Sequence, residues 1–401
     1  MSLIQDVYLC PDVTGVQGSG LLISTTGTFT RLSRRPPGTW FLRSALRPND
    51  DSPNVNTALR LEARDCIAVP SPKFSSTLTG MPQGTSPPWP MLMPRREYLS
   101  YINSVIDCVR SSLNLSDNSY YLNAWSQVTH LFTSMQRLVA PNPVMFDDQS
   151  CHEAASFRPR GGKCDTISYN RFGTRTGRLT TSSGPQILTL RKDHRKFLRS
   201  RWGDNGLLLS LDFSALEVRL LMSDMAGIVV QQDPYLDLSG ALMGELNREK
   251  SKLALISTVY GSTTHGLSQS LGVSLTEAKH IHSTIAERCG VGDLLKRLRS
   301  EHNKNGFIRN RYGRRIETPD PGDGQLLNSY LQSTGVDVAL LGFSEIIRRL
   351  NSDHAVPVAL LHDALILDTT QEFADKISVS LSIPVPGFIG KFPIKVSAFN
   401  T

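Results

Sequence analysis

Cysteine pairing is the first thing this chain lacks. Its six cysteines, Cys10, Cys66, Cys108, Cys151, Cys164 and Cys289, form no C-x-x-C pair and no histidine spacing typical of zinc. They read as free thiols of a reducing compartment and not as a structural metal centre or a disulfide framework. Long apolar runs are also missing: none approaches the roughly 18 residues of a membrane span. The opening MSLIQDVYLCPDV has neither the basic stretch nor the apolar core of a secretory leader, so a cytoplasmic protein is expected. No internal repeat of about 20–50 residues occurs, which sets solenoids and propellers aside. Acidic charge is scarce in one place. The net charge is +7, from 43 Lys and Arg against 36 Asp and Glu, yet residues 151–205 alone carry twelve basic against four acidic side chains. One basic block on a nearly neutral body suggests a polyanion track.

What is present is a soluble globular composition, 39% hydrophobic and 20% charged over 401 residues, enough for several subdomains. Residues 1–92 are rich in Thr, Ser, Pro and Gly, with short β-like runs such as 20-GLLISTTGTFTRL-32, and end in the turn-rich 79-TGMPQGTSPPWPMLMP-94. Two helical patterns, 97–113 and 119–139, suggest a hairpin. After the basic block, 207-LLLSLDF-213 reads as a buried strand entering a helix at 214–227. Helices are expected from about 238 to 305 and from 324 to 350, separated by a strand-like turn at 306–319. The segment 356-VPVALLHDALILDTT-370 reads as a β-hairpin whose turn exposes His362 and Asp363.

The stretch 248-REKSKLALISTVYG-261 sets Arg248, Lys252, Ile256 and Tyr260 at intervals of four. Each step advances 400° on a helix, so the stripe holds one broad face over about 18 Å. It is basic at one end and aromatic at the other, the polarity of a nucleoside triphosphate. The ordinary reading is a surface helix with solvated cations. Asp212 ends an apolar strand and Asp363 sits in an apolar hairpin turn. Taken singly, each is an ordinary strand-end or turn aspartate. If the strands are neighbours, the two converge as phosphoryl transfer with two divalent cations requires.

In this order the pieces resemble the family A DNA polymerases. The segment 212-DFSALEVR-219 is similar to that family's D-Y-S-Q-I-E-L-R. Arg248 to Gly261 is similar to R-x-x-x-K-x-x-x-[FY]-x-x-x-Y-G, and 361-LHDA-364 to V-H-D-E. Three further segments match in sequence order: 176-TGRLTTSSGPQ-186, 306-GFIRNRYGRRIETPD-320 and 328-NSYLQSTGVDV-338. The resemblance covers about residues 168–401 and leaves 1–92 outside it.

The resemblance implies an α+β right-hand fold with an antiparallel palm sheet, helical fingers and a short helical thumb. Its segments would be a β-leaning extension at 1–92, the thumb at 93–145, palm at 146–237 and 321–401, and fingers at 238–320. It implies a DNA polymerase extending a primer with dNTPs, using two Mg²⁺ ions, or Mn²⁺, held by Asp212, Asp363 and the Phe213 carbonyl. Arg248 and Lys252 would hold the triphosphate, with Lys252 protonating the leaving pyrophosphate. Ile256 and Tyr260 would meet sugar and base, Tyr235 a phosphate, and Glu217 would exclude a ribose 2′-OH. Ser214-x-x-Glu217 also fits a capping box. Arg178, Gly261, Asn328, Gln332 and His362 would contact primer–template, and Arg314 and Arg315 its phosphates.

Departures from the pattern stand at Ile256 for Phe or Tyr, Ala364 for Glu, Ala215 for Gln, and 233-DPY-235 for Asp-x-His. No Asp-x-Glu occurs before the helical hairpin, so no 3′-to-5′ exonuclease and no 5′ nuclease are expected, and a partner supplying proofreading or processivity would suit a monomer of this kind. A phage or mobile-element replication enzyme fits that architecture. The rival readings are a phage-type single-subunit RNA polymerase, which 260-YGS-262 suits and Glu217 opposes, and a non-catalytic polymerase-derived DNA-binding protein.

Overall fold

Short runs rich in Val, Leu, Ile and Phe near the start of the chain form four strands in the computed structural model: β1 (Asp6–Cys10), β2 (Gly20–Ser24), β3 (Phe29–Leu32) and β4 (Trp40–Arg43). They make one sheet in the order β3-β2-β1-β4, with β1 parallel to β4 and the other pairs antiparallel. The structure describes residues 6–10, 20–24, 29–32, 40–43, 94–97, 100, 127–128, 130–170, 173–242, 246–377 and 381–400. The expected linker at 79–94 and most of the expected helical hairpin lie outside the described residues. Of the hairpin's second pattern, helix ends at 134 and residues 135–138 are not helical.

The chain divides into two units, Met1–Thr129 and His130–Thr401. The second is built on a five-stranded antiparallel sheet in the order β10-β11-β7-β13-β12. A separate small ladder pairs β5 (Ser168–Asn170) with β6 (Thr180–Ser183). Strand β7 (Gly206–Phe213) runs through the sheet centre and feeds α1 (Leu216–Ala226). Next come α2 (Pro234–Ala241), α3 (Arg248–Val259), α4 (Thr264–Leu271), α5 (Leu275–Arg288) and α6 (Val291–Asn305). Side-chain caps start several of these helices: Asp233, Asn247, Thr263 and Ser274 each accept a backbone N–H of the first turn, and Ser274 with Glu277 closes a full capping box.

The hairpin of β8 (Phe307–Arg309) and β9 (Arg315–Glu317) leads to α7 (Asp323–Arg349), then β10 (Ala355–Leu361) and β11 (Ala364–Thr370). Helix α8 (Gln371–Ile377), β12 (Leu381–Pro384) and β13 (Lys391–Ala398) complete the unit. Strand β10 is buried along its whole length although it is an edge. Tyr169 covers it: the phenol donates to the Leu360 carbonyl at 3.0 Å and accepts from the Leu360 N–H at 2.7 Å. The 27-residue α7 lies on the sheet, where a Cβ on Gly342 would come within 2.7 Å of the Phe213 ring, so glycine is what allows the close approach. Among the described residues, no helix is long and apolar enough to cross a membrane.

Candidate active site

The strand at 206–213 and the hairpin at 355–370 are hydrogen-bonded neighbours, and this brings the two aspartates together. Ala364 pairs with Asp212, and Asp363 occupies the turn immediately before Ala364. The carboxylates therefore stand at the same end of adjacent strands. Their proximity has an electrostatic signature: burial, and next the Asp363 charge, push the Asp212 carboxyl up to about 6, while Lys395 opposes the shift. Lys395 is the cross-strand partner of Asp212 on β13. Sequence reading missed Lys395, because nothing in its local pattern ties it to a residue 183 positions earlier.

The turn itself is strained. His362 has φ 55°, at the first of two loop positions where glycine is usual. A histidine held there costs of order 1 kcal/mol, and its side chain is exposed beside Asp363. Ala215 is likewise left-handed, at φ 52°, and serves as N-cap of α1 without a side-chain hydrogen bond. The capping box suggested by Ser214 and Glu217 does not form, since the strand-to-helix turn places the cap one residue later. That frees the Glu217 carboxylate, which accepts a hydrogen bond from the Tyr260 phenol. Burial, then this bond, raise the Tyr260 pKa.

A cavity of about 260 Å³ opens between α1, α3 and the β10–β11 turn, lined by Arg178, Glu217, Tyr235, Ile256, Tyr260 and Asp363 among others. A second, of about 70 Å³, shares Arg178, Glu217 and Asp363 and adds Gln332 and His362. Phe213 lines the larger cavity, and its ring is buried against Phe343 and Phe392 at 5.2 and 6.0 Å. The four-residue stripe is real: Arg248, Lys252 and Ile256 lie on α3, and Tyr260 is its C-cap. Lys252 is exposed. Arg248 donates to Asp233 at 2.8 Å and stacks over Tyr235 at 5.3 Å, joining the starts of α2 and α3. Burial alone would raise the Asp233 carboxyl, but hydrogen bonds from Arg248 and the Tyr235 N–H hold it below the usual range.

Gln332 apart, the other predicted residues do not line either cavity. Gly261, at φ 80°, lies backbone to backbone with Gly324, where a Cβ on either would sit 3.0 to 3.1 Å from the other's Cα. Asn328 and Gln332 follow one another on a half-buried face of α7, and the buried Asn328 Oδ1 has no hydrogen-bond partner. Arg315 is stacked on the Phe307 ring at 4.2 Å. Arg314 requires a correction. Its side chain is only 4% exposed and is ion-paired to Asp337 at 3.2 Å, so it is not a surface contact for phosphates. A Cβ on Gly177 would strike its guanidinium at 2.3 Å. Arg314 thus supports the loop that carries Arg178. Arg219 acts similarly: buried, it donates to the carbonyls of Ser214, Val230 and Gln232 and fixes the turn around Glu217.

The family model for DNA polymerase family A matches residues 154–385. Among curated relatives, the thermostable DNA polymerase I of Thermus aquaticus is 26% identical over 251 residues, 55% of this chain and 30% of the relative. The DNA polymerase of Mycobacterium phage L5 is 29% identical over 183 residues, 44% of this chain and 30% of the relative. The chain thus spans about 30% of the length of these curated relatives. A solved structure, the POL domain of Pol1 from M. smegmatis in complex with DNA primer-template and dNTP, overlays with a TM-score of 0.44 at 17% identity, covering 76% of this chain and 52% of that one.

Proposed function

The chain belongs to DNA polymerase family A, and from that premise we propose that it is a template-directed DNA polymerase that extends a primer 3′-OH with dNTPs. The observation that carries this reading is the adjacency of Asp212 and Asp363 at one end of the central sheet, where Asp363 lines a cavity shared with Ile256 and Tyr260 of the α3 stripe. Two carboxylates close enough for one to raise the other's pKa form a donor set that divalent cations would stabilise. Asp212, Asp363 and the Phe213 carbonyl would hold two Mg²⁺ ions. When bound, such ions lower the pKa of the attacking hydroxyl and neutralise the transferring phosphate.

The chain's own residues do the rest. Lys252, exposed on α3, meets the triphosphate and donates a proton to the departing pyrophosphate. Arg248 binds phosphate by exchanging its solvent-exposed pairing with Asp233, a bond worth little in water. Tyr235 stays beside Arg248 and offers a phenol to the same phosphates. Ile256 and Tyr260 take the sugar and base, and Glu217, held by the Tyr260 hydroxyl, fills the space a 2′-OH would need. Arg178, Gln332, Asn328 and His362 line the way in for the primer end. In this reading the five-stranded sheet with α7 is the palm and residues 238–320 the fingers, while the thumb at 93–145 lies largely outside the described residues.

The test is primer extension on a primed DNA template with Mg²⁺, comparing dNTPs with rNTPs for the native chain and Asp212→Ala. Extension with dNTPs alone, lost by at least about a thousandfold in the variant, is the expected result. Efficient rNTP use would replace this reading with an RNA polymerase, and tight DNA binding without incorporation would leave a non-catalytic binder. The same reaction on a 3′-mismatched primer addresses proofreading: the mismatch is expected to persist, and its removal would reveal an exonuclease.

A further inference from the structure

Away from the carboxylates of the central sheet, Cys151, Glu153 and His194 bring one sulfur, one oxygen and one nitrogen within 4.8 Å of one another. Cys151 and Glu153 lie in the turn that enters the 3₁₀ segment Ala154–Phe157, and His194 lies on a second 3₁₀ segment, Lys192–Phe197. Cys151 is 5% exposed and His194 2%. Such burial makes the hydrogen bonding around them a strict account.

That account does not close. The His194 Nε2 is 3.0 Å from the Ser150 hydroxyl, and the hydroxyl in turn donates to Asp148 at 2.6 Å. With its single proton committed to Asp148, the Ser150 oxygen accepts from Nε2–H. This assigns the neutral ring a bare lone pair on Nδ1. Nδ1 is buried with no partner, and so is the Oε2 of Glu153. Two buried acceptors thus go unpaired in a cluster whose third member, Cys151, offers only a weak S–H donor that could serve at most one of them.

We propose that Cys151, Glu153 and His194 form a zinc-class metal site that joins the 151–157 and 192–197 segments. A borderline cation accepts thiolate, imidazole and carboxylate at about 2.0–2.3 Å, whereas Mg²⁺ prefers oxygen alone. Binding displaces the Cys151 thiol proton to solvent and supplies the charge that both bare acceptors lack. The fourth position is left to water on the side of the half-buried Glu153. The Asp148–Ser150–His194 chain is the outer support such a ligand needs, because it fixes the tautomer and aims Nδ1. Burial raises the Cys151 thiol pKa, so a free nucleophilic cysteine is the poorer account of the same cluster. No sequence spacing revealed the site, because its ligands come from two segments about forty positions apart.

The test uses the full chain in buffer with millimolar Mg²⁺, so that the sheet carboxylates do not compete. Zinc is counted after dialysis, and the stripped protein is titrated with Co²⁺ while the thiolate-to-cobalt charge-transfer band is followed. The expected result is about one zinc per chain, a cobalt band that Zn²⁺ abolishes, and loss of the band in Cys151→Ala. Ser150→Ala should retain the band with affinity lowered roughly 10- to 100-fold. Should Cys151→Ala fail to fold, Glu153→Gln together with alkylation of native Cys151 decides: at least about tenfold weaker cobalt binding and zinc protection of the thiol are expected. A folded native chain with no zinc and no cobalt band overturns the proposal. So does a band that survives in folded Cys151→Ala, or a Cys151 thiol alkylated equally fast with and without zinc.

Discussion

Asp212 titrates in the wrong direction for a stabilising carboxylate. Its ordinary value is 3.8, and burial with the Asp363 charge pushes it up to about 6 in the fold. A raised acid favours the protonated form, so its contribution is fully present below about pH 4 and is lost as pH rises through about 6. At neutral pH the ionised carboxylate is a local liability. Asp212→Asn should therefore raise the stability of the metal-free protein at pH 7 by about 1–2 kcal/mol, a figure discounted for the solvent this half-buried group still meets. Thermal melts in EDTA at pH 4.5 and 7 measure it: the variant's gain is expected at pH 7 and should shrink to roughly a third at 4.5, which lies between the two values. Mg²⁺ should raise the native melting temperature at pH 7.5 and far less at pH 5, where Asp212 carries its proton. Asp212→Asn should not respond. Equal Mg²⁺ responses in both proteins would remove Asp212 from the metal site.

Between elements, the buried pair of Arg314 after β8 and Asp337 on α7 joins three of the segments that carry the family resemblance. Asn310 donates to the same Asp337 carboxylate at 2.6 Å and accepts the Arg314 N–H at 2.9 Å, while Gly177 lies against the guanidinium. Asp337→Ala would remove the buried carboxylate that pairs with the Arg314 guanidinium, which costs about 3–5 kcal/mol. Urea unfolding of the native and variant chains checks this, and a change under about 1 kcal/mol would show that solvent reaches Arg314. The pair also shows how far sequence reading reached. Apolar runs and turn signals located β7, the hairpin around His362, and helices at about 238–305 and 324–350, because those signals lie within each element's own stretch of sequence. What such signals do not carry is a pairing between distant segments. Arg314 looked like a surface cation because its partner is 23 positions away. Strand β13, beside β7 at the sheet centre, was passed over because its pattern mixes exposed and buried residues.

Over the whole molecule, the charge distribution makes a prediction about binding that no single contact makes. The twelve basic side chains of residues 151–205 lie within the second unit, and Arg158, Arg160, Lys163, Arg175, Arg178, Lys192 and Arg199 are all exposed. The flanking 130–134 helix and the sheet offer no comparable excess. If this block is the phosphate track, duplex affinity should fall steeply with salt, the slope of log K against log salt being about −0.9 per phosphate neutralised. Neutralising Arg158, Arg160 and Lys163 together removes at most three such contacts. The slope should then become shallower by up to about 2.7, with little change in the preference for one template sequence over another. Fluorescence anisotropy with a labelled primer–template at several salt concentrations reads both quantities. An unchanged slope would put the track on another face of the molecule. A loss of affinity that is the same at every salt concentration would mean that these side chains stabilise the fold and do not meet phosphates.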